Sequence, residues 1–142
     1  CHLPQPLVST MVRAKTPRQV VLTCDASGWA GMPPGVYHSQ WGDAEILDDG
    51  KLVVAGQREL LAGSAFESDI CVPMVMDYAG VSLREAIDMA SRNPAKAMGF
   101  EQARLRRGSL ADLFLFRRDG RRLAVAATIA AGELRYGSIF TD

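Results

Sequence analysis

Residues 19–35 read QVVLTCDASGWAGMPPG. The first six, QVVLTC, are apolar on successive positions, Val20, Val21 and Leu22, rather than alternate ones, which predicts a strand covered on both faces, as in the parallel sheet of an α/β protein. Asp25 marks its end, and Ser27, Gly28, Gly31, Pro33, Pro34 and Gly35 then concentrate the residues that form loops. Because α/β folds carry their chemistry at the carboxyl ends of buried strands, this one stretch bears on both the fold class and the place of a site.

Working outward, the preceding text places Leu7, Met11 and Ala14 at i, i+4, i+7, with Val8 and Val12 alongside, and stops at Pro17. That predicts a helix of about three turns with one apolar face. Downstream, AEILDDGKLVVA sets Asp49-Gly50 between two apolar runs, the strongest short-range cue for a hairpin. LLAGSAF then leads into SDICVPMVMDYAG, which reads as a helix despite Pro73. In VSLREAIDMASRNPAKAMGF, Ser82 and Glu85 form a capping box, and Leu83, Ala86, Ile87 and Ala90 make one face. Asn93 is expected to cap a second short helix, and Gly99 to end it. DLFLF, LAVAATIA and ELRYG, joined at Asp119-Gly120 and Ala131-Gly132, predict a small β-rich tail.

The chain has 142 residues, 48% hydrophobic and 23% charged, which suits one domain with a core and excludes long disorder. Sixteen basic and 16 acidic side chains balance, so no electrostatic case for a nucleic-acid partner arises, and the scattered arginines from Arg104 to Arg122 read as solvated loop ends. The longest apolar run, residues 123–131, is strand-sized, so no membrane partner is expected. Three widely spaced cysteines without a CxxC pair predict neither a disulfide framework nor a zinc knuckle, and suggest a reducing, cytoplasmic setting. The first residue is Cys1, which suggests a piece of something longer.

Asp25 could bind metal or move a proton, or could simply bond its own loop amides in an Asx-turn. Leu61, Ala62, Gly63 and Ser64 could bring backbone amides to a ligand, or could be a helix entry capped by Ser64. Cys24 and Cys71 have no partnered base and read as structural thiols; His38 reads as a surface residue. His2 and His38 are the only histidines, too few for a transition-metal site within the chain.

Taken together, CHLPQPLV, VVLTCDASGWAGMPPGVY, LLAGSAF, AGVSLREAIDMASRNPAKAMGF and GSLADLFLF resemble, in order, the last third of the N-acetylglucosamine-6-phosphate deacetylase family of the amidohydrolase superfamily. The resemblance implies the C-terminal part of a TIM-type (β/α)8 barrel plus a small β-sandwich tail. Residues 1–107 would be partial barrel and 108–142 the small β domain, with residues 20–24 the eighth barrel strand. It implies that Asp25 is the catalytic aspartate, which takes a proton from metal-bound water and passes one to the departing amine. Asp25 is also a possible metal ligand, the others lying upstream of Cys1. His2 would contact the sugar phosphate, and Leu61, Ala62 and Gly63 would present their backbone to substrate. The implied cofactor is a divalent metal, zinc or iron, in the whole parent enzyme, with none held by these residues alone, which are expected to be inactive. The implied partners are an amino-sugar phosphate substrate and further copies of the chain in a homo-oligomer. Amide hydrolysis needs an activated water, a Lewis acid on the carbonyl and a proton for the nitrogen, so the chemistry is coherent. Another amidohydrolase, acting on a different amide, and a non-catalytic sugar- or phosphate-binding module are the alternatives.

Overall fold

The computed structural model describes residues 3–100 and 104–139. Helix α1 (Gln5–Lys15) carries Pro6 in its first turn, where a missing amide costs nothing, and ends at Thr16 and Pro17. Its packed stripe is Val8 and Val12, facing α2. The expected stripe of Leu7 and Met11 lies one position away and is 43% and 46% exposed. Both stripes are apolar in sequence, and only the one that meets α2 is covered.

A 3-10 turn (Pro17–Gln19) leads into residues 20–25, which start extended at Val20 but belong to no strand. The expected parallel-sheet strand is therefore absent among the described residues. Val20, Leu22 and Cys24 are half-buried on one side while Val21 is 47% exposed on the other. The covered side meets α3, where the Leu22 amide donates to the Met89 carbonyl at 2.9 Å. The other face and the strand edges find no sheet neighbour among the described residues, so no ladder forms.

Strands β1 (Gly35–Tyr37), β2 (Ala44–Ile46), β3 (Lys51–Val54) and β4 (Gln57–Ser64) form an antiparallel sheet in that order. The Asp49-Gly50 turn joins β2 to β3 as expected, with Gly50 at φ 80°. LLAGS is not a helix entry but the end of β4. Between the pairs Val53–Leu61 and Lys51–Ser64, β4 spends one residue more than β3, and Gly63 at φ 106° absorbs this bulge. Ala44, Ile46 and Leu52 make a small core under this sheet, with Trp29 and Tyr37 packed on it.

Helix α2 (Ser68–Ala79) runs through a buried Pro73 and closes on left-handed Gly80, whose amide donates to the Met76 carbonyl. Helix α3 (Leu83–Ala90) has the expected capping box: the Glu85 amide donates to Ser82 Oγ and the Ser82 amide to Glu85 Oε2. Its deepest residues are Ala86 and Met89. Helix α4 (Arg92–Ala97) follows at a corner, and Asn93 lies inside it rather than capping it.

Strands β5 (Leu113–Asp119), β6 (Arg122–Ala130) and β7 (Glu133–Gly137) form the expected antiparallel tail. Arg117 and Arg118, expected at loop ends, are exposed on β5. Leu123 of β6 is buried with Val12, Val72, Val75, Ala86 and Met89, so the tail and the helices share one core. Arg122 bonds Asp69 at the start of α2. The whole is a small α/β arrangement with two antiparallel sheets. Apart from the single parallel bridge Ala26–Ser64, the described residues show no parallel pairing and no barrel.

Candidate active site

The candidate site forms where residues 20–25 meet the end of β4. Asp25 has φ 53°, a left-handed conformation that an aspartate tolerates better than most side chains. Its amide donates to Thr23 Oγ1 at 3.3 Å. The Asp25 carbonyl accepts from the Ser64 amide at 3.2 Å, and the Ser27 amide donates to the Ser64 carbonyl at 2.9 Å. Buried Ser64 thus holds the loop through both of its backbone groups, while its hydroxyl accepts from the Phe66 amide at 3.0 Å. Next to it, a methyl on Gly63 would lie 3.5 Å from Ser27 Cβ and 3.9 Å from the Asp25 carbonyl oxygen.

Two of the expected site elements therefore come together: Asp25 and the Gly63 end of the Leu61, Ala62, Gly63 stretch. Leu61 pairs with Val53, and Ala62 packs on the hairpin core. His2 lies outside the described residues. His38 is exposed beyond β1, with Nδ1 2.9 Å from Asp43 Oδ1, far in role from any cleft. Sequence reasoning assigns Thr23 no role, Ser27 only that of a loop former and Asn93 that of a helix cap. The first two act through short-range bonds to backbone. Asn93 acts through Nδ2, which donates to the Pro17 carbonyl at 2.8 Å and the Val20 carbonyl at 2.6 Å.

Asp25 and Ser64 edge a cleft of about 340 Å³ whose remaining wall is largely apolar, with Leu22, Phe66, Met74 and Val75 among its lining. Its effect on a titrating group is visible at Cys71, whose thiol is pushed up to about 11, chiefly by burial, with Cys24 and Asp69 adding to it. A thiol so raised stays protonated at neutral pH and is no nucleophile. Cys24 Sγ accepts from Ser68 Oγ at 3.6 Å. Among the described residues no three of His, Cys, Asp and Glu gather to hold a metal ion, so these side chains alone do not fit one. No helix among them is long and apolar enough to cross a membrane. What the arrangement offers is one exposed carboxylate, fixed by its own backbone, at the mouth of an apolar cleft.

The model of the amidohydrolase family matches residues 42–135, most of the chain. The chain belongs to the amidohydrolase family. The matched span includes Leu61, Ala62 and Gly63 and begins after Asp25. This amidohydrolase chain is 32% identical over 120 residues to the human N-acetylglucosamine-6-phosphate deacetylase, an alignment covering 83% of the chain and 28% of that relative. It is 33% identical over 100 residues to a putative N-acetylgalactosamine-6-phosphate deacetylase of Escherichia coli K12, covering 70% of the chain and 58% of the relative. Among solved structures, the N-acetyl-D-glucosamine-6-phosphate deacetylase of Mycobacterium smegmatis superposes with a TM-score of 0.81 at 29% identity, covering 95% of this chain and 35% of that one. The chain thus spans about a third or less of the human and mycobacterial deacetylases.

Proposed function

We propose that this chain is the carboxyl-terminal part of an amidohydrolase that removes the N-acetyl group from a hexosamine 6-phosphate, with Asp25 as the group that moves the proton. The observation that carries the reading is the left-handed Asp25, tied by backbone bonds to the end of β4 that carries Gly63, at the edge of an apolar cleft. Backbone strain at a cleft-edge carboxylate is a recurrent mark of a functional site. The names of relatives for both the gluco and the galacto sugar, matched at 32% and 33% identity, support the amino-sugar phosphate class.

In this reading water attacks the acetyl carbonyl carbon and the C–N bond breaks. Asp25 accepts the proton from water and returns it to the departing nitrogen, leaving acetate and the free amino sugar phosphate. An exposed carboxylate in a fixed backbone can make both transfers without rearranging. Amidohydrolases are generally metal-dependent. Since the described residues form no metal site, Asp25 would supply at most one ligand, and a divalent cation, zinc or iron, would be held mainly by other parts of the parent. His2 would meet the sugar phosphate, and Leu61, Ala62 and Gly63 would offer backbone to the substrate. Residues 1–107 would complete a barrel and 108–142 a small β domain, in a cytoplasmic homo-oligomer.

The test is acetate release from N-acetylglucosamine 6-phosphate and N-acetylgalactosamine 6-phosphate by the protein of the complete reading frame. Turnover of either, with the 142 residues alone inactive, is the expected result. Binding of both without turnover would instead indicate a non-catalytic module.

A further inference from the structure

Asn93 sits in α4, yet its side chain serves the segment that carries Asp25. One amide nitrogen faces two carbonyl oxygens, at 2.8 Å on Pro17 and 2.6 Å on Val20, which bracket the 3-10 turn. Only an N–H donor satisfies both oxygens; a carboxylate in the same place would repel them. The turn has three residues and its last carbonyls need partners, so Asn93 determines where the chain leaves the turn. From there the path to Asp25 has a backbone tie, Leu22 to Met89, and a weaker side-chain tie, Ser68 Oγ to Cys24 Sγ, and then the paired bonds of Asp25 and Ser27 with Ser64. The segment has no sheet neighbour among the described residues to hold it otherwise.

We propose that Asn93 is a positioning residue for Asp25, acting through the direction of residues 20–24. Its catalytic meaning rests on the function proposed above, whereas its effect on the segment does not. The test is amide hydrogen exchange on the 142-residue chain, comparing wild type with Asn93→Asp and Asn93→Ala, and with Ser82→Ala, which frays the capped N-terminal turn of α3, at the opposite end from the Met89 carbonyl that holds Leu22. Both Asn93 variants are expected to speed exchange at Leu22, Ser27 and Ser64 by roughly tenfold or more while Gly80 and Ala86 stay protected. Ser82→Ala is expected to raise Ala86 and leave the other three unchanged. Wild-type exchange at Leu22, Ser27 and Ser64 in both Asn93 variants would overturn the proposal. Equal acceleration at Gly80 and Ala86 would do the same, reducing Asn93 to general stability.

In the complete enzyme, Asn93→Asp is expected to lower kcat per folded molecule, the folded fraction being read by circular dichroism, and to leave KM near its wild-type value; a kcat that falls only in proportion to the folded fraction would reduce Asn93 to general stability. If Asp25→Asn retained full turnover, the catalytic reading would fail and the exchange result would stand. If the exchange pattern were unchanged, the positioning role would fail whatever Asp25 does.

Discussion

The conformation of Asp25 can be tested by replacing its side chain and leaving everything else in place. At φ 53° an ordinary L-residue pays roughly 1–2 kcal/mol, aspartate and asparagine pay less, and a β-branched residue pays most. Glycine escapes the steric cost but gives back about 0.4–1 kcal/mol through a freer unfolded chain. The expected order of stability is therefore Gly, Asp and Asn within about 1 kcal/mol of one another, with Val about 2 kcal/mol below. For a chain of this length that gap corresponds to a melting point for Asp25→Val roughly 5–10 °C below that of Asp25→Gly. Thermal unfolding of the 142-residue chain, followed by circular dichroism at neutral pH, reads it directly. If Asp25→Val melted at or above Asp25→Gly, the left-handed backbone would not be a property of the folded protein, and the argument from strain would collapse. In the complete enzyme all three substitutions are expected to lower kcat by about a hundredfold or more, so stability and activity should rank the variants differently.

Gly50→Ala places a Cβ 2.5 Å from the Phe66 ring at φ 80°, and is expected to cost roughly 2–3 kcal/mol in urea unfolding. Gly56→Ala, at φ 77° with nothing within 4 Å, should cost only about 1 kcal/mol, and equal losses at the two sites would contradict the contact. Because burial raises the Cys71 thiol to about 11, its alkylation should keep rising above pH 9. The stability it lends is complete below the ordinary thiol range and is lost as pH climbs through about 11; a plateau in its alkylation rate by pH 9 would refute the burial. Residues 20–24 have an exposed Val21 and no strand partner among the described residues, so sedimentation of the 142-residue chain should show concentration-dependent self-association; a clean monomer at all concentrations would count against an open strand edge.

Features governed by near neighbours were legible in the sequence. The Asp49-Gly50 hairpin, the Ser82–Glu85 capping box and the three tail strands each depend on residues a few positions apart, and each forms. Features settled by distant partners were misread. Asn93 before Pro94 has the local grammar of a cap, but its acceptors lie 76 and 73 residues away in sequence. Residues 61–64 look like a helix entry because they are small and precede a helix, whereas pairing with β3 makes them strand. Two neighbouring apolar stripes on α1 compete, and α2 decides between them. The continuous apolar run of residues 20–24 asks for cover on both faces, and the described residues provide one. The place of Asp25, closing an apolar run before a glycine-rich loop, was legible, but its role was not, since the residues alone leave an Asx-turn open. The backbone partner of Asp25, Ser64, was not legible either, since any residue's amide and carbonyl could have made those bonds.

The most direct measurement is the turnover of N-acetylglucosamine 6-phosphate and its galacto epimer by the complete enzyme and by Asp25→Asn, whose side chain keeps the shape and tolerates the left-handed backbone. A fall of about a hundredfold to ten-thousandfold in kcat, with substrate still bound, is the predicted result for loss of a group that moves the proton. Turnover within a few-fold of wild type would contradict the account.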